Sequence, residues 1–176
     1  SPLPHARILS IDASKAKNLQ GVDAVITAAD IPDTLVGRRL RDMPVLAREK
    51  VRFIGEKVAA VAAESPDDAE EALELIDVEY EELPAVFDAV EATQPGAPIL
   101  HEGVSSYEGL LEQLEGPTNR FVRTILGKGD VEKGFAEADL VFEHTFTVPW
   151  IHQAYLEPHA CLVQIDDAGR AHIWAN

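Results

Sequence analysis

Cysteine is almost absent from this chain, with Cys161 the only one among 176 residues. An internal disulfide is therefore excluded, as are thiolate-clustered zinc or iron–sulfur sites built from these residues. Basic residues are also scarce: 15 Lys and Arg face 31 Asp and Glu, and the formal charge of -16 opposes binding to nucleic acid or anionic membranes. No run approaches the roughly 20 apolar residues needed to span a bilayer. The opening Ser-Pro-Leu-Pro lacks the charged and apolar regions of a secretion signal. These absences predict a cytoplasmic protein with no membrane insertion and no nucleic-acid partner. Calcium-loop spacing is missing too, so acidic groups such as Glu79, Glu81 and Glu82 read as a solvated face.

What is present is a folding pattern, with 46% hydrophobic residues. Residues 6–11 predict a strand, Asp12 opens a short helix with Ala13, Ala16 and Leu19 on one face, and 22–27 predict a second strand. The apolar run 58–63 suggests a strand covered on both faces. A helix follows, with Ser65 as cap, Pro66 at its first position and Asp67 and Asp68 in the dipole-favoured first turn. Val78, Tyr80 and 84–86 return as a strand, so 57–87 reads as strand, helix, strand on one layer. Glycines and prolines then punctuate 89–120, which predicts a long connection. Order resumes at 121–126, Asp130 opens a short helix, and residues 140–148 alternate as a strand. The segments 160–165 and 171–175 read as a hairpin around Asp166-Asp167-Ala168-Gly169.

Chemistry-bearing residues concentrate in His152-Gln153-Ala154-Tyr155-Leu156-Glu157-Pro158-His159. A zinc-protease helix requires histidines four apart with a Glu beside the first, and this spacing fails that requirement. Gln153 can donate to a carbonyl or oxo group, and Glu157 reads either as a buried hydrogen-bond anchor or as a contact to substrate or cofactor. Gly127-Lys128-Gly129-Asp130 reads as a turn and helix cap, because it lacks the phosphate-loop glycine spacing and Lys-Ser/Thr pair. Cys161, between Ala160 and Leu162, reads as a small buried hydrophobe.

Taken in order, Pro4-His5-Ala6-Arg7-Ile8, PVLAREKVRFIGEKVAAVAAE at 44–64, ELIDVEYEELPAVFD at 74–88, GKGDVEKGFAEADLVFEHTF at 127–146 and HQAYLEPHA at 152–160 carry a resemblance. The chain resembles the large, molybdenum-binding subunit of the xanthine dehydrogenase, aldehyde oxidase and carbon monoxide dehydrogenase family. That resemblance implies an α/β (α+β) fold: an α/β-hammerhead domain over 1–88, an extended linker over 89–120, and an incomplete mixed β/α start of the molybdenum-cofactor domain over 121–176. It also implies a molybdenum hydroxylase acting on an aldehyde or N-heterocycle with water as oxygen source. The cofactor of the intact enzyme would be a molybdopterin-type molybdenum centre, with iron–sulfur clusters and commonly FAD on other domains or subunits. Gln153 and Glu157 are expected to line or support the cofactor site. No catalytic base and no metal ligand falls within these residues, so the chain reads as a fragment, inactive alone, whose partners are the remainder of the molybdenum subunit and the iron–sulfur and flavin portions. The alternatives are an inactive structural or interaction module, or one chain of a split large subunit.

Overall fold

Strand β1, Ala6–Asp12, leads into α1, Ser14–Lys17, and β2, Val22–Thr27, in a computed structural model that describes residues 1–176. Asp12 begins the turn between strand and helix by accepting the Ser14 N–H at 2.9 Å. Two short strands, β3 (Leu35–Val36) and β4 (Met43–Pro44), pair with each other, and β5 (Lys50–Val51) and β6 (Ala59–Ala63) follow. Helix α2, Pro66–Glu74, has the predicted start: Ser65 Oγ accepts the Asp68 N–H at 3.2 Å, and Pro66 sits where a missing N–H costs nothing. Strand β7 spans Asp77–Glu82.

Besides the β3–β4 pair, these elements form two further antiparallel sheets. One has the order β5-β1-β7, with Ala6 opposite both Val51 and Glu82, and the other pairs β2 with β6. Strands β6 and β7 thus lie in different sheets, whereas the sequence places them on one layer with α2 between them. The core divides accordingly. Ala6, Ala47, Val51 and Val58 pack with Ile8, Ile11, Val78 and Tyr80 on the first sheet. Ala13, Ala16, Val25 and Ala72 pack with Leu19, Val61, Leu75 and Ile76 between α1, α2 and the second. Small residues dominate both clusters, and Val51 is the largest side chain fully removed from solvent. The α+β class holds, with helices packed beside small antiparallel sheets.

The glycine- and proline-rich stretch after β7 is fastened to these elements without forming a strand. Asn119 ties it internally, donating to Ala92 and Pro98 carbonyls and accepting from Leu100 N–H. Arg52 donates to the Leu100 carbonyl at 2.9 Å, Lys50 pairs with Glu102, and Arg41 pairs with Glu108. His101 and Tyr107 share a 3.0 Å hydrogen bond with their rings edge to face. By internal contacts the chain divides into two compact units, Ser1–Leu126 and Gly127–Asn176.

The second unit holds α3, Val131–Glu137, and the hairpin β8 (Cys161–Ile165) with β9 (Ala171–Ala175). Five residue pairs from Cys161↔Ala175 to Ile165↔Ala171 set the register. Its turn is held by Asp166, whose carboxylate accepts from the Ala168 and Arg170 N–H groups and the Arg170 guanidinium. Residues 140–148 are extended without joining a sheet, and 121–126 likewise remain outside any strand. Alternation predicts a strand's faces but not its neighbour, and no segment of this unit supplies the neighbour. No helix is long and apolar enough to cross a membrane.

Candidate functional site

Gly127-Lys128-Gly129-Asp130 brings the chain into α3 as a turn and cap. Gly129 takes φ +79, a left-handed conformation that glycine adopts without a Cβ clash, and Asp130 accepts the Lys133 N–H at 2.9 Å. A carboxylate therefore already occupies the helix start, in agreement with the capping reading. Beyond α3, outside any strand, come Phe142, His144 and Phe146, whose rings stack or tilt on one another at 6.2–6.4 Å.

The motif at 152–159 folds into a bent knuckle. Ala154 has φ +54, the only left-handed residue in the chain that is not glycine, and its N–H donates to His152 Nδ1 at 3.0 Å. Such backbone carries strain that a residue with a Cβ rarely accepts. The bend turns the ring of His152 edge-on to Tyr155, with centroids 5.4 Å apart, and Tyr155 edge-on to His159 at 5.8 Å. An alternating strand, in which Gln153, Tyr155 and Glu157 would share a face, is thus interrupted at Ala154. The amide of Asn176 closes the far side by donating to the Pro158 carbonyl at 2.8 Å and accepting from Ala160 N–H at 3.1 Å.

Gln153 and Glu157 both lie exposed on this knuckle and take part in no hydrogen bond or ion pair. Glu157 is thus exposed in this chain, where the sequence allows either a buried anchor or a direct contact. Cys161 is exposed as well, contrary to the buried reading, because neither face of the β8–β9 hairpin is covered. No cluster of three or more His, Cys, Asp or Glu has metal-binding geometry. A pterin-type cofactor needs convergent donors in a closed cradle, and the open residues around Gln153 and Glu157 do not by themselves make one. These side chains can each contribute one amide or carboxylate group to a site completed by other residues.

The electrostatically perturbed groups lie elsewhere. Burial, reinforced by the Arg52 charge, holds His101 below its ordinary value, and burial raises the Tyr107 phenol. Glu102 is pushed up by burial, but the Lys50 hydrogen bond and the neighbouring cations outweigh this and leave it lowered. Nothing in the periodicity of 89–120 signals this network, since its partners Lys50 and Arg52 come from another part of the chain. Two further polar groups escape a sequence reading: Glu56 is buried and accepts the Arg52 N–H, and His5 is buried against the Pro84 carbonyl.

Comparison with known proteins gives two successive family matches along the chain. Residues 1–84 match the family described as aldehyde oxidase and xanthine dehydrogenase, a/b hammerhead domain, and residues 113–176 match the molybdopterin cofactor-binding domain. A probable xanthine dehydrogenase subunit of Bacillus subtilis is 39% identical over 170 residues, covering 96% of this chain and 21% of that protein. The nicotinate dehydrogenase large molybdopterin subunit of Eubacterium barkeri is 36% identical, covering 96% of this chain and 37% of that protein. Among solved structures, the Cu,Mo-CO dehydrogenase in its carbon monoxide reduced state superposes with a TM-score of 0.85 at 37% identity, covering 99% of this chain and 23% of that one. The chain thus spans between 21% and 37% of the length of these curated relatives.

Proposed function

Because this chain belongs to the xanthine dehydrogenase, aldehyde oxidase and carbon monoxide dehydrogenase family, as part of its large molybdenum-binding subunit, we propose that it serves as scaffold and partial wall of a molybdenum hydroxylase site. In this reading residues 1–88 are the hammerhead domain, 89–120 the linker and 121–176 the opening of the cofactor-binding domain. The observation that carries the reading is the succession of two matching domains in one chain, in family order, over nearly its whole length. When bound, the molybdenum centre would supply the redox chemistry that amino-acid side chains cannot. The chain's own contribution is orientation: the Gln153 amide is available to donate to a carbonyl oxygen, and the Glu157 carboxylate to accept from an N–H or fix a neighbouring side chain.

The exposed apolar surface of the second unit supports completion by further polypeptide. Phe146 and Trp150 are 89% and 93% exposed, and Leu140, Phe142, Val148 and Ile151 are open as well. Contiguous apolar surface of this kind marks an interface. The remainder of the molybdenum subunit would cover it, with iron–sulfur and flavin portions as further partners in the cytoplasm. An aldehyde or N-heterocycle is the proposed substrate, hydroxylated with oxygen from water. Relatives named for xanthine and nicotinate, both N-heterocycles, support that class. A split subunit is a second reading, favoured by the nicotinate relative, of which this chain makes up 37% rather than 21%.

The test places Gln153→Ala and Glu157→Ala in the full-length subunit and measures molybdenum content and turnover separately. A wall residue gives reduced turnover, and a support residue gives reduced metal content. Wild-type values of both for both variants would exclude the two residues from the site.

A further inference from the structure

The connection after β7 is long for a segment without strands, and such segments are either functional or disordered. This one is ordered, by fasteners of two kinds. The first is a neck: Asn119 donates to the Ala92 and Pro98 carbonyls at 2.9 and 2.8 Å and accepts the Leu100 N–H at 3.0 Å, which draws the ends of 100–118 together as in an Ω-loop. The second is a clasp on the segment that contains β4 and β5. Lys50 pairs with Glu102, and Arg41 holds Glu108 twice, its guanidinium on the carboxylate and its N–H on the carbonyl, each at 2.9 Å. Little apolar burial backs these contacts. Val104 is the only buried residue of 100–118, and none of its residues belongs to either hydrophobic cluster. Exposed ion pairs are individually weak, and a segment with few buried apolar contacts lies at the low-stability end of a fold.

His101 stands inside the clasp. Its Nδ1 shares a 3.0 Å hydrogen bond with the Tyr107 hydroxyl, while Lys50 of β5 and the adjacent Arg52 act on it from one side, Asp42 from beside β4 and Glu102 from the loop itself. A proton on this ring adds a third cation next to Lys50 and Arg52. Asp42 and Glu102 offset it only in part, because Glu102 is already paired with Lys50, and burial followed by the Arg52 charge holds His101 below its ordinary value. We propose that residues 100–118 form a latch that opens as one unit about the Asn119 neck while both sheets stay folded, and that protonation of His101 releases it. Release uncovers Arg41 and Lys50, which Glu108 and Glu102 otherwise neutralise. The latch involves none of the residues assigned to the cofactor wall and stands whether or not that assignment holds.

Amide hydrogen exchange on the whole 176-residue chain, followed residue by residue by NMR and corrected for the intrinsic rate at each pH, tests the latch. The Arg41 N–H, whose acceptor lies on the loop, reports the clasp, and the amides of β2 and β6 report the core. Arg41 should be less protected than the core and insensitive to sub-denaturing urea that speeds core exchange, because a local opening exposes little surface. Between pH 7.5 and 5.5 its protection should fall about three- to ten-fold, the upper bound being one proton gained below the ordinary histidine value of about 6.5. His101→Gln should abolish that fall. Glu102→Gln, at an exposed position, should lower Arg41 protection about two- to five-fold, the size of one exposed ion pair, although the partner of Arg41 is Glu108. Such coupling reports opening as a unit and keeps the test open if His101→Gln fails to fold. Core-like protection or urea dependence at Arg41, protection unchanged between the two pH values, a fall that survives His101→Gln, or indifference to Glu102→Gln would overturn the proposal.

Discussion

His101 shows how one side chain can report a docked connection. Its lowered value follows from burial and from the Arg52 charge, so the folded state holds a proton less readily than the unfolded chain. The unfolded form binds more protons once the pH falls below the ordinary histidine value of about 6.5, and stability falls from there down to the folded value. Thermal unfolding followed from pH 7.5 to 5.5 should show this decline, and His101→Gln should flatten it relative to the parent. An equally steep decline in the variant would place its origin elsewhere. Gly109 makes a second residue-scale case: at φ +94, a Cβ there would stand 1.7 Å from the Arg39 carbonyl oxygen. Gly109→Ala should destabilise by roughly 2 kcal/mol or more, through strain and loss of the close approach. Gly103→Ala, whose nearest contact would be 3.7 Å, should change little, and chemical denaturation of the two variants measures the contrast. Neither feature is legible in the sequence. Glycine marks a turn, but only the fold brings Arg39 to Gly109 or Arg52 to His101.

At the scale of elements, helix α2 was the most legible, because Ser65, Pro66, Asp67 and Asp68 each satisfy a local requirement of a helix start. Ser65→Ala should lower stability by about 1 kcal/mol, measurable as a shifted melting point. The β8–β9 hairpin was legible for the same reason, with Asp166 and Gly169 supplying the turn. Sheet membership was not. β6 joins β2 and β7 joins β1, pairings between segments far apart in the chain that no local pattern specifies. Residues 140–148 illustrate the same limit, since their alternation is a strand's but their partner is not among the pairings of this chain. Amide hydrogen exchange should therefore find 121–160 rapidly exchanging in the 176-residue chain and protected within the assembled large subunit. Equal exchange in both would remove the basis for an interface there.

The whole molecule presents two units of unlike completeness. The first has two buried clusters and a fastened connection, whereas the second exposes most of its large apolar side chains. The family was legible in the sequence because five segments that resemble its members follow one another in order. The candidate site was legible only as a location. Gln153 and Glu157 fall in the motif, but the left-handed bend at Ala154 that sets them apart depends on backbone geometry that no side-chain pattern announces. In the proposed function this chain supplies scaffold and wall while other polypeptide completes the cofactor site. Molybdenum content by elemental analysis, on the purified 176-residue chain and on the full-length subunit prepared in parallel, tests it most directly. Negligible metal is expected in the first and about one molybdenum per chain in the second, as a single cofactor site requires. Stoichiometric molybdenum on the 176-residue chain, with intact mass excluding any second polypeptide, would contradict it.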